Sequence, residues 1–310
     1  MIAAHADWSI DPRKRWISVA EREGEGWRMA APRPVGPLEG LVEGLIGPGR
    51  AVALGLDLPL GLPRAYAAER AEAGFPQFLR ELAARPSFFE VSAGLETVSP
   101  ERPFYPARGV KGMTRAAHAS ALGFDGPEGL SRWCDRATAE RPAGAPVFWT
   151  LGANQSGKAA IGAWRDWLVP ALGAGAPVRL WPFEGSLADL LAPGRAVLAE
   201  AYPAEALRQC GLRLAGSKRV QGPRRALALA LHAALAARRV VAEPALVAAI
   251  ADGFGADATG EDRFDSVIGL LGLIGVLDGA RPDFIPDDPW IRSWEGWVLG
   301  QTALPRALMP

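Results

Sequence analysis

The chain has 310 residues, 49% of them hydrophobic and 22% charged, proportions that allow a full buried core and exclude a disordered protein. Its 34 basic and 34 acidic residues cancel, so a nucleic-acid partner has to be drawn by a local patch rather than by the molecule as a whole. Two cysteines, Cys134 and Cys210, far apart in sequence, argue against a zinc site or a secreted disulfide framework; with no cationic-then-apolar start and no apolar run long enough to span a bilayer, the expectation is a cytoplasmic protein without membrane association.

In chain order, the pattern predicts a short apolar strand over Ile2 to Trp8, a turn at Asp11-Pro12-Arg13, a strand over Trp16 to Ala20, a charged turn around Gly24, and a third strand over Gly26 to Ala31. Tight turns make these three an antiparallel meander. Leu38, Leu41, Val42 and Leu45 then fall at helical spacing, and Gly47-Pro48-Gly49 stops that helix before Ala51 to Asp57, an apolar run of the buried-strand type. The order β-β-β-α-β is the opening of an RNase H-like sheet: three antiparallel strands, then parallel ones, flanked by helices. Residues about 64 to 192 exceed what that fold needs and read as a long, mainly helical insertion in a single domain. Within it the spacing predicts helices over Phe75–Ala84, Glu128–Thr138 and Ile161–Leu172, an extended Val147–Trp149 and a strand over Val178–Phe183. A strand over Arg195–Glu200 and helices over Arg224–Arg238, Pro244–Ala251 and Asp262–Leu277 complete the chain.

Acidic residues stand at the ends of these elements. Asp7 closes the first strand and Asp57 the fourth, and in such a sheet those strands are neighbours. The two carboxylates would repel unless a hard cation, Mg²⁺ or Mn²⁺, lay between them. Asp262 and Asp265, at i and i+3 of the last helix, share one face. For Asp262 a second role competes, because Thr259-Gly260-Glu261-Asp262 has the form of a capping box. Glu200, ending a strand before Ala201-Tyr202-Pro203, is either a fourth ligand or a base orienting water, or else a solvent-facing strand end.

Those residues carry a resemblance. Asp7-Trp8-Ser9, the run Leu56-Asp57-Leu58-Pro59-Leu60-Gly61-Leu62-Pro63, Trp181 to Glu184, Glu200 to Pro203, Glu261 to Asp265 and Glu295-Gly296-Trp297 together resemble a bacterial and archaeal family of unknown function described as predicted RNase H-like nucleases. The closing Asp-x-x-Asp is similar to that of Holliday-junction resolvases of the same superfold. The resemblance implies a metal-dependent nuclease, with carboxylates at Asp7, Asp57 and Asp262 or Asp265 and DNA or RNA as its partner. The basic segment Ser217 to Arg225 offers Lys218 and Arg219 as phosphate contacts, and Arg102, Arg108 and Lys111 form a second candidate patch.

Gly152 to Lys158 has the first part of a phosphate-binding loop, but Ala159 stands where magnesium requires Ser or Thr. Lys158 is therefore kept as a substrate-phosphate contact, with a phosphotransferase or a non-catalytic nucleic-acid or nucleotide binding protein as the alternatives. His5, His118 and His232 are too scattered for a metal triad.

Overall fold

The computed structural model describes residues 1–151 and 156–305. Its centre is a mixed sheet of eight strands: β1 (Ile2–Asp7), β2 (Trp16–Glu23), β3 (Gly26–Met29), β4 (Arg33–Pro34), β5 (Val52–Leu56), β6 (Val178–Leu180), β7 (Ala196–Glu200) and β8 (Val240–Ala242). The spatial order is β6-β7-β5-β1-β2-β3-β8, with β4 paired to β2. Strands β1, β5, β7 and β6 run parallel, whereas β2 and β3 alternate antiparallel beside β1. The meander, helix and parallel strand expected from the sequence are all present, the helix spanning Leu41–Ile46.

Alternation along the strands divides the core in two. On one face Ile2, Ala4, Ala6, Leu54, Leu56 and Leu198 pack against helices and loops from the segment between β5 and β6. On the other, Ala3, Ala53, Val197 and Ala199 pack under the helix Gly260–Leu277, which is buried along almost its whole length. The side chains beneath that helix are small, so its axis comes close to the sheet. Gly269 marks the tightest approach: a Cβ there would lie 2.2 Å from the ring of His5. His5 donates through Nε2 to the carbonyl of Ala201 at 3.0 Å, and burial holds its pKa down at about 4, so it is a neutral spacer.

Three expectations are corrected, and two strands are new. Val178–Leu180 is not part of an insertion but the edge strand of the main sheet, parallel to β7, so the extra segment ends before it. Glu128–Thr138 is two short 3₁₀ turns rather than a helix, because Arg132 between them is extended and its side chain is drawn into the interior. The run Arg224–Arg238 breaks at Leu227 into Gln221–Ala226 and Ala228–Ala237. Finally, β4 and β8, each two or three residues long, carry no periodicity that sequence reading can detect. No helix among the described residues is long and apolar enough to cross a membrane.

The close helix approach yields a test. Gly269→Ala should lower stability by about 1–3 kcal/mol through overpacking on His5, against its gain in helix propensity. Gly275→Ala, whose new Cβ would meet only Arg238 Nε at 3.6 Å, should be neutral or stabilising; urea midpoints of the two variants make the comparison.

Candidate functional site

Parallel pairing sets Ala6 opposite Leu56 and Leu56 opposite Glu200, and the Asp57 amide donates to the Ala6 carbonyl at 3.1 Å. Asp7 and Asp57 therefore leave neighbouring strand ends at one level, one residue past the Ala6–Leu56 pair and on the opposite face to it. That face carries the Gly260–Leu277 helix. Asp265 lies one turn before Gly269, and Gly269 sits on His5, two residues before Asp7 on the same side of β1. The geometry that lets the helix touch the sheet thus delivers Asp265 beside Asp7.

These residues line a cleft of about 610 Å³ together with Trp8, Lys14, Arg141, Lys158, Glu205, Arg208, Lys218, Arg219, Glu261 and Asp262. Its floor is acidic and much of its rim is basic. Asp7 and Asp265 are buried, at 8% and 5% exposure. The Asp7 carboxyl is pushed well up by desolvation and by the charges of Asp265, Asp57 and Asp262. Desolvation, then the charge of Asp265, raises Asp57 to about 7. Asp265 rises to about 6, mainly through burial, although Lys218 opposes the shift. Asp262 likewise rises to about 6 through burial.

The capping box does not form. Thr259 turns its hydroxyl to Asp257 Oδ1 at 2.6 Å and makes no cap to the helix, while Asp262 Oδ2 is buried with no hydrogen-bond partner. Asp262 therefore belongs to the cleft rather than to the helix end.

Glu200 is a correction. In register with Ala6 and Leu56, it points to the face away from Asp7 and Asp57, and it is fully buried. Arg132 grips both its oxygens at 2.6 and 2.7 Å, and the Leu60 amide donates to Oε2 at 2.8 Å. Three of its roughly four lone-pair sites are thus taken, and the pairing with Arg132 already neutralises its charge. Among the described residues, the one trio of potential metal-ligand atoms lying mutually within 4.8 Å is Cys134, Asp135 and Glu200. Arg132 already supplies the cation there, with Asp135 at 2.8 and 3.0 Å. This knot fixes the loop that follows Asp57, since Arg132 also donates to the Leu60 carbonyl at 3.1 Å.

Two phosphate candidates also move. Arg108 is exposed and away from the cleft. Lys218 does not point outward: its Nζ is bonded to Asp265 and lies 3.4 Å from Glu261. Arg219 stays on the rim, 71% exposed and loosely paired with Glu261 at 3.6 Å. Lys158 lines the cleft, whereas residues 152–155 of the phosphate-loop-like segment lie outside the described residues. Sequence reasoning missed Lys14, which stands in the turn after β1 and opposes the upward shift of Asp262. Its position directly after Asp11-Pro12-Arg13 was the available signal.

Compared with protein-family models, with curated proteins and with solved structures, the chain matches none of them. The functional reading therefore stands on geometry and donor chemistry. The cleft carboxylates offer only hard oxygen donors, and one buried oxygen, Asp262 Oδ2, is orphaned; that set fits Mg²⁺ or Mn²⁺ and suits no soft metal.

Two predictions follow from these environments. Because Asp57, Asp262 and Asp265 hold protons in the folded state at pH values where unfolded aspartates do not, stability should fall as pH rises from about 4 to 7. In EDTA, melting at pH 5 should exceed that at pH 8 by about 5 °C, and Asp57→Asn should flatten the gradient; a gradient unchanged in the variant contradicts the assignment. Conversely, Glu200→Ala should cost about 3–5 kcal/mol by leaving Arg132 charged and buried, read from its denaturant midpoint.

Proposed function

We propose that the protein is a metal-dependent nuclease hydrolysing phosphodiester bonds on an RNase H-like fold. The observation that carries the proposal is the pair Asp7 and Asp57, side by side at the carboxyl ends of adjacent parallel strands, with Asp265 and Asp262 brought against them from one helix. The order β3-β2-β1-β5-β7 within the sheet supports the fold assignment, since it is the three-strand meander followed by parallel strands that the RNase H-like reading requires. Open α/β sheets bind ligands at the carboxyl ends of their strands, and the cleft lies there.

In this reading Asp7 and Asp57 hold the cation, and Asp265 faces the same pocket. A bound Mg²⁺ or Mn²⁺ supplies Lewis-acid polarisation of the phosphate and a more acidic water. Asp262, with its unpartnered Oδ2, would be the cleft carboxylate free to accept a proton. Lys14, Lys158 and Arg219 on the rim hold the substrate's phosphates, which gives a neutral chain a local means of binding DNA or RNA. Trp8 is stacked on Trp167 at 5.1 Å and buried, so it forms a wall rather than a stacking platform for a base.

Purified protein should cleave at least one of single-stranded, duplex or branched DNA or RNA in Mg²⁺ or Mn²⁺, and be inert in EDTA. Asp57→Asn should lower the rate by at least about 100-fold, and Arg219→Ala should weaken substrate binding and reduce its salt dependence while leaving turnover at saturation. Cleavage that survives Asp57→Asn, or none on any of these substrates, overturns the proposal.

A further inference from the structure

We propose that Lys218 is a built-in cation of the carboxylate cluster, standing where a second metal ion would otherwise bind, so that the site takes one divalent ion. This inference rests on the metal-dependent reading above and sharpens it. The Lys218 ammonium contacts two carboxylates at once, Asp265 and Glu261. Its charge also acts on Asp57 and Asp7.

The side chain is not a surface lysine folded inward by chance. Its backbone carbonyl accepts from the Nη1 of Arg224, a residue only 2% exposed. Arg224 spends its other donors on the Gly253 carbonyl at 2.8 Å and the Gly255 carbonyl at 2.6 Å. A buried guanidinium met by carbonyls alone is a costly arrangement, and what it secures is the position of the Lys218 loop over the start of the Gly260–Leu277 helix. Gly260 is required for the same contact, because a Cβ there would lie 2.4 Å from Arg224 Nη2.

The ammonium already takes up carboxylate oxygens of Asp265 and Glu261 that a second ion would need. A second divalent ion would have to displace an ammonium held by two carboxylates and a pinned loop. Among the described residues neither the Asp7 nor the Asp57 carboxylate is in an ion pair, and the two leave neighbouring strand ends at one level, so a single ion has its place between them.

The test is a count of bound Mn²⁺ by titration calorimetry, checked by the spin resonance of free Mn²⁺ at equilibrium. Wild type should bind one Mn²⁺ per chain, Lys218→Arg one, and Lys218→Met and Lys218→Gln two. The Lys218 side chain is 39% exposed, so neutral variants leave no cavity, and circular dichroism verifies that they fold. Two ions in wild type, or one in both neutral variants, overturn the role of Lys218 even if cleavage remains sensitive to EDTA. No Mn²⁺ bound by any form overturns this inference and the metal-dependent reading together, whereas counts of one and two in a protein that cuts nothing support the inference and defeat only the nuclease assignment.

Discussion

Two carboxylates held abreast on neighbouring parallel strands repel each other, and in a poorly hydrated setting that repulsion is strong. Asp7 and Asp57 are in this position because strand register leaves no alternative once Ala6 and Leu56 face the core. The surrounding structure is arranged around that constraint. A helix packs closely enough to add Asp265 and Asp262 on one side, a lysine from a pinned loop offsets part of the charge, and burial with the like charges raises the carboxyl pKa values. A protein under no functional demand would replace such a cluster with apolar residues at little cost or with a gain in stability.

The second ion-pair system has the opposite character. Arg132, Glu200 and Asp135 saturate one another, and each lies among backbone groups that complete its hydrogen bonds. Nothing in it is left to react. The two systems lie on opposite faces of the sheet, one open to the cleft, the other closed. The closed one holds the Leu60 backbone, three residues beyond Asp57, so Asp57 stands on a rigid support.

How much of this was legible in the sequence depends on the range of the interaction. The meander, the Leu41–Ile46 helix and β5 were readable because each is announced locally, by turn residues or by an unbroken apolar run. Asp7, Asp57 and Asp265 were readable as a group because element order dictates which strand ends are neighbours. Glu200 was misplaced by one residue of pleat: ending a strand is visible in sequence, but the face on which it ends depends on pairing with β5. Asp262 stayed ambiguous because a capping box and a site carboxylate share one pattern, and only the hydroxyl direction of Thr259 separates them. Arg132 was invisible for a third reason. A basic residue in an irregular, Pro- and Gly-rich stretch looks solvated until the distant carboxylate it meets is known, 68 positions along the chain.

Arg132 also bears on the order in which the molecule can assemble during synthesis. Its guanidinium needs Leu60, made well before it, and Glu200 and the Glu295 carbonyl, the last of these 163 residues later. Until that late segment emerges, a charge destined for the interior lacks part of its hydrogen-bonding shell, so a nascent chain gains little by closing around it early. The loop that carries Asp57 should accordingly become rigid only as the last part of the described chain docks, and a ribosome-bound intermediate would keep its acidic cleft loose until then.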